Sequence, residues 1–165
     1  MSDQPRQRSP WRLSLIIFVG VTGFYLFLAR PAEPVNDLTV KDNLAYLALG
    51  RAGLVIVDAS VPGKPEEIGS FDTRGSANAV ATDGQNGYIA DGRDGLRVMD
   101  VSNPYLPRDI SAYKTPGYAQ DLDLVKNTVY LADGGSGLLI INVKDKQKPY
   151  LVSSYSIRAN IRRVA

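Results

Sequence analysis

Acidic residues beside glycine are the first groups in this sequence whose types could do chemistry. Asp91, Asp94 and Asp133 stand next to glycines, as the ligands of calcium loops do. Their spacing does not fit the D-x-[DN]-x-[DN]-G loop, and residues 134–137 lack the aspartate that follows in a calcium-binding nonapeptide. We therefore interpret these residues as hairpin turns and predict no metal site.

A second acidic set could also do chemistry. It consists of Asp83, Asp121 and Asp123. Two carboxylates about 5–10 Å apart could hydrolyse a glycoside. Nothing else in the sequence supports that chemistry, so we interpret all three as solvated surface residues.

The residue types that the chain lacks exclude several classes of catalytic and metal-binding site. The chain of 165 residues has no cysteine and no histidine. It therefore lacks thiolate nucleophiles, Ser-His and Cys-His pairs, and the usual ligands of zinc, haem and iron–sulfur clusters. No Gly-Lys-Ser/Thr follows the paired glycines, so there is no phosphate-binding P-loop. We predict no catalytic residue, no cofactor and no enzyme activity.

The charge distribution is uneven along the chain. The formal net charge is +2, yet residues 1–30 alone carry four arginines against one aspartate. The remainder is close to neutral, which predicts no nucleic-acid partner. A basic run near the end is interpreted as solvated surface, with an anionic binding patch as the alternative. Its members are Lys144, Lys146, Lys148, Arg158, Arg162 and Arg163.

An uncharged run of 17 residues, 13–29, lies between Arg12 and Arg30. A helix of that length reaches about 25 Å, and flanking arginines can make up the difference to a hydrocarbon core of about 30 Å. We therefore predict a transmembrane helix that acts as a signal anchor. Residues 1–12 would stay in the cytoplasm, and the body would lie in the periplasm or the extracellular space.

A cleaved signal peptide is the competing interpretation of the same run. Cleavage requires small residues at positions −3 and −1. A cut after Ala29 places Phe27 at −3, and a cut after Ala32 places Arg30 there. Neither site is good, so we favour an uncleaved anchor, followed by a linker at residues 30–35.

The rest of the chain repeats every 42 residues without a gap. The units are 36–77, 78–119 and 120–161, and residues 162–165 align with the start of a fourth. The first two units are identical at 15 of 42 positions. Such a period is typical of four-stranded propeller blades. The recurring residues include Tyr46, Tyr88 and Tyr130; Gly53, Gly95 and Gly137; and Pro65, Pro107 and Pro149.

Each unit predicts four short strands, which in the first unit are residues 38–41, 44–49, 54–59 and 66–71. The apolar run 54–57 needs cover on both faces, and blades stacked around an axis provide it. We therefore predict an all-β partial propeller of three antiparallel blades over residues 36–165. Recurring aromatic residues should pack blade against blade rather than stack on sugars. They are Tyr46, Tyr88 and Tyr130 on second strands and Phe71, Tyr113 and Tyr155 on fourth strands.

The third strands carry a recognisable motif. Residues 54–58 read Leu-Val-Ile-Val-Asp, and the counterparts are LRVMD at 96–100 and LLIIN at 138–142. A D-x-S-x-P turn follows the first two in phase. Over residues 36–157 the chain resembles the LVIVD-repeat family of bacterial and archaeal surface proteins. The resemblance implies an exported or cell-surface propeller that holds other macromolecules, and it implies no catalytic signature.

Three blades are fewer than the four to eight that usually close a propeller. Either the sequence is the front part of a longer protein, which we favour, or another chain completes the ring. The expected function is a non-catalytic interaction or scaffold module, anchored in a membrane and displayed outside the cytoplasm. Its partner would be a protein or a cell-surface macromolecule, and self-association through open edges is a further expectation. The alternatives are a fragment of a propeller hydrolase and an accessory subunit of a membrane complex.

Overall fold

The structure is a computed structural model that describes residues 15–20, 23–28, 33–156 and 162–164. The chain divides into two units, Met1–Ala32 and Glu33–Ala165. Every regular element in the described residues is a β-strand. The all-β class predicted from the sequence is therefore confirmed for the repeated body.

The first unit corrects the helix that we predicted over residues 13–29. Strand β1 (Leu15–Gly20) pairs antiparallel with β2 (Gly23–Leu28), in a register that sets Leu15 opposite Leu28. The run is rich in β-branched and aromatic residues, which favour strands. Its two glycines, Gly20 and Gly23, face each other at the connected end of the pair. Within the described residues, no helix has the length and apolar character needed to cross a membrane.

The second unit consists of three four-stranded antiparallel sheets, which we call blades 1, 2 and 3. In each blade the strands lie side by side in chain order. Blade 1 holds β3 (Asp37–Lys41), β4 (Leu44–Ala48), β5 (Leu54–Asp58) and β6 (Glu66–Phe71). Blade 2 holds β7 (Ala79–Thr82), β8 (Asn86–Ala90), β9 (Leu96–Asp100) and β10 (Arg108–Tyr113). Blade 3 holds β11 (Asp121–Val125), β12 (Thr128–Ala132), β13 (Leu138–Asn142) and β14 (Tyr150–Tyr155).

An irregularity between the third and fourth strands recurs in each blade. In blade 1 the register passes from Ile56–Gly69 to Val57–Glu67, which leaves Ile68 as an extra residue. The same shift occurs at Ile110 in blade 2 and at Val152 in blade 3. A β-bulge of this kind re-aims one side chain. Ile68 and Ile110 both pack against the apolar cluster that joins their own blade to the next one.

The core is split between the two blade junctions. We call the side of a blade that packs on the following blade its forward face, and the opposite side its backward face. Tyr46 and Ile56 on the forward face of blade 1 pack with Ile89 and Met99 on the backward face of blade 2. The second junction repeats this arrangement, because Tyr88 and Val98 of blade 2 pack with Leu131 and Ile141 of blade 3. Tyr46 and Tyr88 therefore pack blade against blade, as predicted, whereas Tyr130 lies on the forward face of blade 3, which no described strand covers.

Backbone groups join each blade to the next at its inner end. Gly50 exchanges two hydrogen bonds with Ala77, and the Ala119 N–H donates to the Gly92 carbonyl in the corresponding bridge at the next junction. The side-chain amide of Asn36 donates to the Ala77 carbonyl at 3.0 Å. These bonds place consecutive first strands side by side, which gives the body its propeller-like arrangement.

The outer strands are covered by a loop of the following blade. The backbone near Gly69 on β6 lies so close to the Pro104 carbonyl oxygen that a Cβ at Gly69 would overlap it. On β10, Ser111 Oγ donates to the Lys146 carbonyl at 2.6 Å. Both contacts come from the loop between the third and fourth strands of the next blade. Every residue of β14, by contrast, is exposed.

Candidate functional site

Two of the three aspartates considered as calcium ligands, Asp91 and Asp133, lie at the blade junctions. Asp91 is fully buried, and its Oδ1 accepts a hydrogen bond from Thr73 Oγ1 at 2.6 Å. Arg97 Nε donates to the other oxygen at 3.1 Å. Burial raises the pKa of the Asp91 carboxyl, and the bonds from Thr73 and Arg97 act in the opposite direction. Both oxygens therefore have protein donors and are not presented to a metal.

Blade 3 repeats this contact one period later. Asp133 is fully buried, and it accepts from Thr115 Oγ1 at 2.6 Å and from the Gly117 backbone N–H at 2.7 Å. The threonine follows the fourth strand of one blade, and the aspartate begins the hairpin turn of the next. We call each of these pairs a junction latch. The third aspartate of the calcium set, Asp94, lies at the surface with Lys114 Nζ 3.2 Å from its Oδ1.

The residues considered for hydrolysis have separate structural roles. Asp123 is exposed and accepts from the N–H of Leu124. Asp121 accepts from the Val164 N–H at 2.6 Å, in the way that Asp37 accepts from Val80 at 3.0 Å. The bond from Val80 ties β3 to β7, the first strand of the next blade. In the described ranges no group of three or more acidic side chains is arranged to hold a metal ion.

Asp83 belongs to a small polar cluster between blades 2 and 3. It caps the β7–β8 turn by accepting from the Asn86 N–H at 2.7 Å, and it also accepts from Tyr88 Oη at 3.1 Å. Lys146 Nζ lies 3.7 Å from Asp83 Oδ2 and 5.3 Å from the centre of the Tyr88 ring. Burial, together with the Asp83 charge, raises the pKa of Tyr88. We call Asp83, Tyr88 and Lys146 the lysine clamp.

The lysine clamp changes the interpretation of the basic run. Lys146 lies in the junction between blades 2 and 3, whereas we predicted it to be one of a run of solvated surface charges. Lys144, Lys148, Arg162 and Arg163 are exposed, and Arg158 lies outside the described residues. No sequence signal could have found the clamp, because Pro104 stands at the matching position of the preceding unit and shares no chemistry with lysine.

A surface cavity of about 180 Å³ lies beside the β5–β6 loop, lined by Asp58, Ser60, Val61, Lys64 and Glu66. Ligand pockets usually measure about 300–1,000 Å³ and bury most of the ligand. Lys64 and Glu66 pair with each other at 2.6 Å while remaining mostly exposed. The cavity is therefore a feature of one exposed turn and is too small for a typical ligand.

The two end faces of the blade stack expose apolar side chains. Leu38 on the backward face of blade 1 is 54% exposed, whereas its counterpart Val80 in blade 2 is 4% exposed. On the forward face of blade 3, Val152 and Tyr155 are 57% and 65% exposed. Their counterparts Ile110 and Tyr113 pack against a buried cluster. No strand in residues 33–156 covers either end face, so both present apolar side chains of the kind that the inner junctions bury.

Comparison with protein families identifies one matching model, described as the LVIVD repeat. It matches three consecutive stretches, residues 34–73, 74–115 and 116–157. These stretches coincide closely with the three blades, and together they cover most of the chain. Comparison with curated proteins finds no match.

Several solved structures share the fold. The computationally designed protein Ika4 aligns with a TM-score of 0.62 and 10% identity, over 81% of this chain and 80% of that one. The designed protein Ika8 aligns with a TM-score of 0.61 and 8% identity, over 78% of this chain and 39% of that one. A candidate 6-phosphogluconolactonase from Bacteroides uniformis aligns with a TM-score of 0.65 and 13% identity. That alignment covers 79% of this chain and 46% of the other, and at such low identity the likeness concerns the fold alone.

Proposed function

The chain belongs to the LVIVD-repeat family, and on this premise we propose that it is a non-catalytic interaction module held at a membrane outside the cytoplasm. The observation that carries the proposal is the pair of open apolar end faces on a propeller-like stack. Exposed apolar surfaces of this kind mark protein contact sites when they are contiguous. The partner is a protein that covers one or both faces.

The hydrogen bonds that the acidic residues accept support a non-catalytic role. Catalytic carboxylates need a free oxygen that faces a substrate. Asp91 and Asp133, the two fully buried acids, have donors on both oxygens within the blade junctions. Asp83 and Asp121 likewise accept bonds that join blade to blade or close a turn. These acids stabilise the stack and are not aimed at a common point.

The N-terminal composition supports the membrane address. Residues 13–29 carry no charge, and Arg12 and Arg30 bracket them. Three of the four arginines among residues 1–30 precede the run, which favours a cytoplasmic N-terminus. The near-neutral body would then be exported. In this proposal, residues 13–29 are the segment that binds the membrane.

Fractionation of a bacterial host that expresses the full chain with a C-terminal tag tests the address. We expect the tag in the membrane fraction after a carbonate wash, and we expect added protease to digest it once the outer surface is made accessible. A variant with Ile17→Lys and Leu26→Lys is the matched control, which should leave the membrane fraction. A tag that stays soluble in the cytoplasm, or that protease cannot reach in intact spheroplasts, would overturn the address.

Site-specific photo-crosslinking tests the interaction role. A photoreactive residue at Tyr155 lies on the forward face of blade 3, whereas one at Tyr105 lies on an exposed turn of blade 2. Both tyrosines are well exposed, at 65% and 68%, so the comparison is matched for accessibility. We expect a protein adduct from position 155 and none from position 105. Equal adducts from both positions would mean that the end face is not a specific contact surface.

A further inference from the structure

The two end faces are complementary to each other, and we infer that two copies of this chain associate head to tail, with blade 3 of each copy packed on blade 1 of the other. The inference rests on the proposed function, because it names the partner of the interaction module as a second copy.

The inner junctions supply the template for this contact. At each one a forward face that carries tyrosine, alanine, leucine and a β-branched residue covers a backward face of aliphatic side chains. Blade 3 offers a forward face of the same composition, and blade 1 a backward face of the same kind. The forward set is Tyr130, Ala132, Leu138, Ile140, Val152 and Tyr155, and the backward set is Leu38, Val40, Leu47 and Val57.

The junction latch favours blade 1 as the occupant. A blade that enters an inner junction brings a buried aspartate, Asp91 or Asp133, which needs a threonine from the preceding blade. Blade 1 has Leu49 at that position, so it brings no carboxylate that requires a donor. The sequence also has Ile157 where Thr73 and Thr115 stand in the first two units. A junction between blade 3 and blade 1 therefore leaves no unpaired latch group.

The edge of the blade 3 face already shows where the second copy would bind. Asp121 accepts from the Val164 N–H, just as Asp37 accepts from the Val80 N–H on the first strand of blade 2. Val80 is the counterpart of Leu38 in blade 1. In the head-to-tail pair, the Leu38 N–H of the second copy replaces that of Val164, so one hydrogen bond is exchanged for an equivalent one. Residues 162–164 thus compete with the second copy for this edge.

The mass of the full chain in mild detergent, measured by light scattering across a range of concentrations, tests the inference. We expect a dimer. Val40→Lys on the backward face and Val152→Lys on the forward face should each weaken it by on the order of 100-fold or more, since a lysine charge would be buried without a partner. Both residues are largely exposed in a single copy, at 61% and 57%, so neither change should disturb its fold. Tyr105→Lys is the control and should leave the dimer intact.

Mixing the two variants tests the head-to-tail geometry. The Val40→Lys copy keeps an intact forward face and the Val152→Lys copy an intact backward face, so the mixture regains one good junction. We expect the mixture to dimerise more strongly than either variant alone. Deletion of residues 158–165 should strengthen the dimer of the unmodified chain, because the competing segment is removed.

Three results would overturn the inference: a monomer at all concentrations, a dimer that neither lysine variant weakens, or a ladder of longer polymers in place of a closed pair. The address is judged separately by fractionation. A dimer that depends on both faces but lies in the cytoplasm would refute the membrane proposal and leave this contact standing.

Discussion

The junction latch between blades 1 and 2 can be tested by replacing Thr73 with valine. The change keeps the shape of the side chain and removes only the hydroxyl that donates to Asp91 Oδ1 at 2.6 Å. Thr73 is 1% exposed and Asp91 is fully buried, so water cannot replace the lost donor. A hydrogen bond to a charged group, lost where the acceptor stays buried, costs about 1.5–3 kcal/mol. We therefore expect Thr73→Val to lower the free energy of unfolding by about 2 kcal/mol.

The chain provides a matched control for this change. Ser102 Oγ donates to Asp100 Oδ1 at the same distance, 2.6 Å, but in an exposed turn. Ser102→Ala removes an equally short hydroxyl–carboxylate bond, and water can take its place. We expect it to change stability by less than about 0.5 kcal/mol. Burial is thus the main physical difference between the two variants.

Urea unfolding of the full chain in mild detergent, followed by far-UV circular dichroism at one fixed protein concentration, measures both free energies. The same loss as for Thr73→Val is expected for Thr115→Val, because Asp133 Oδ1 is equally buried and accepts the equivalent bond. If Thr73→Val costs no more than Ser102→Ala, the latch does not stabilise the junction and our reasoning about buried acids is wrong.

Three further variants test other contacts between blades. Gly69→Ala should lower the unfolding free energy by about 2 kcal/mol or more, measured by urea unfolding, because its Cβ would overlap the Pro104 carbonyl oxygen. Lys146→Met keeps the apolar stem but removes the ion pair with Asp83 and the contact with the Tyr88 ring, and the same measurement should show a loss of about 1 kcal/mol. Tyr88→Phe should flatten the pH dependence of stability above pH 10: the folded-state pKa of Tyr88 is raised above its ordinary 10.0, so ionisation of the unfolded chain destabilises the native state there. Thermal midpoints of both proteins between pH 9 and pH 11 would check this, and parallel curves would refute it.

The architecture of the body could be predicted from spacing because the repeat has no gap. The four predicted strands of the first unit differ by at most one residue at either end from β3 to β6. The apolar run of residues 54–57 predicted cover on both sides; Leu54 and Ile56 are fully buried in a junction on the forward face, whereas Val57 on the backward face is only partly buried, because no described strand packs there. A strict period therefore predicts both where each strand lies and which face of its blade each side chain occupies.

The contacts that vary between units could not be predicted in this way. Lys146 lies in a loop whose residue types change from unit to unit, so its place beside Asp83 depends on the packing of one blade on another. The turn after β13 lacks the aspartate of the first two units, yet the Asn142 side-chain oxygen accepts from the Lys144 N–H at 3.0 Å, as Asp58 does from Ser60 at 2.8 Å. An amide oxygen serves this turn as well as a carboxylate does.

The N-terminal run shows the limit of reading hydropathy alone. Length and lack of charge predicted a helix over residues 13–29, whereas β1 and β2 form a strand pair there. Ile, Val, Phe and Tyr are strongly apolar and also favour strands, so hydropathy does not separate the two conformations. The membrane address depends on composition and is tested by fractionation, independently of that conformation.

The repeat also explains why the ends of the stack are the expected place for function. Inside the stack, each face is occupied by the neighbour that its own sequence specifies, with Thr73 and Asp91 or Thr115 and Asp133 matched across the junction. At the ends of the stack this matching stops. Leu49 stands at the position of the junction aspartates without a threonine partner, and Val40 and Tyr155 are exposed. Because these end residues keep the character of junction residues, their exposure costs hydrophobic burial that a partner would recover. The binding that we propose at the ends would therefore use the same surface chemistry that folds the stack.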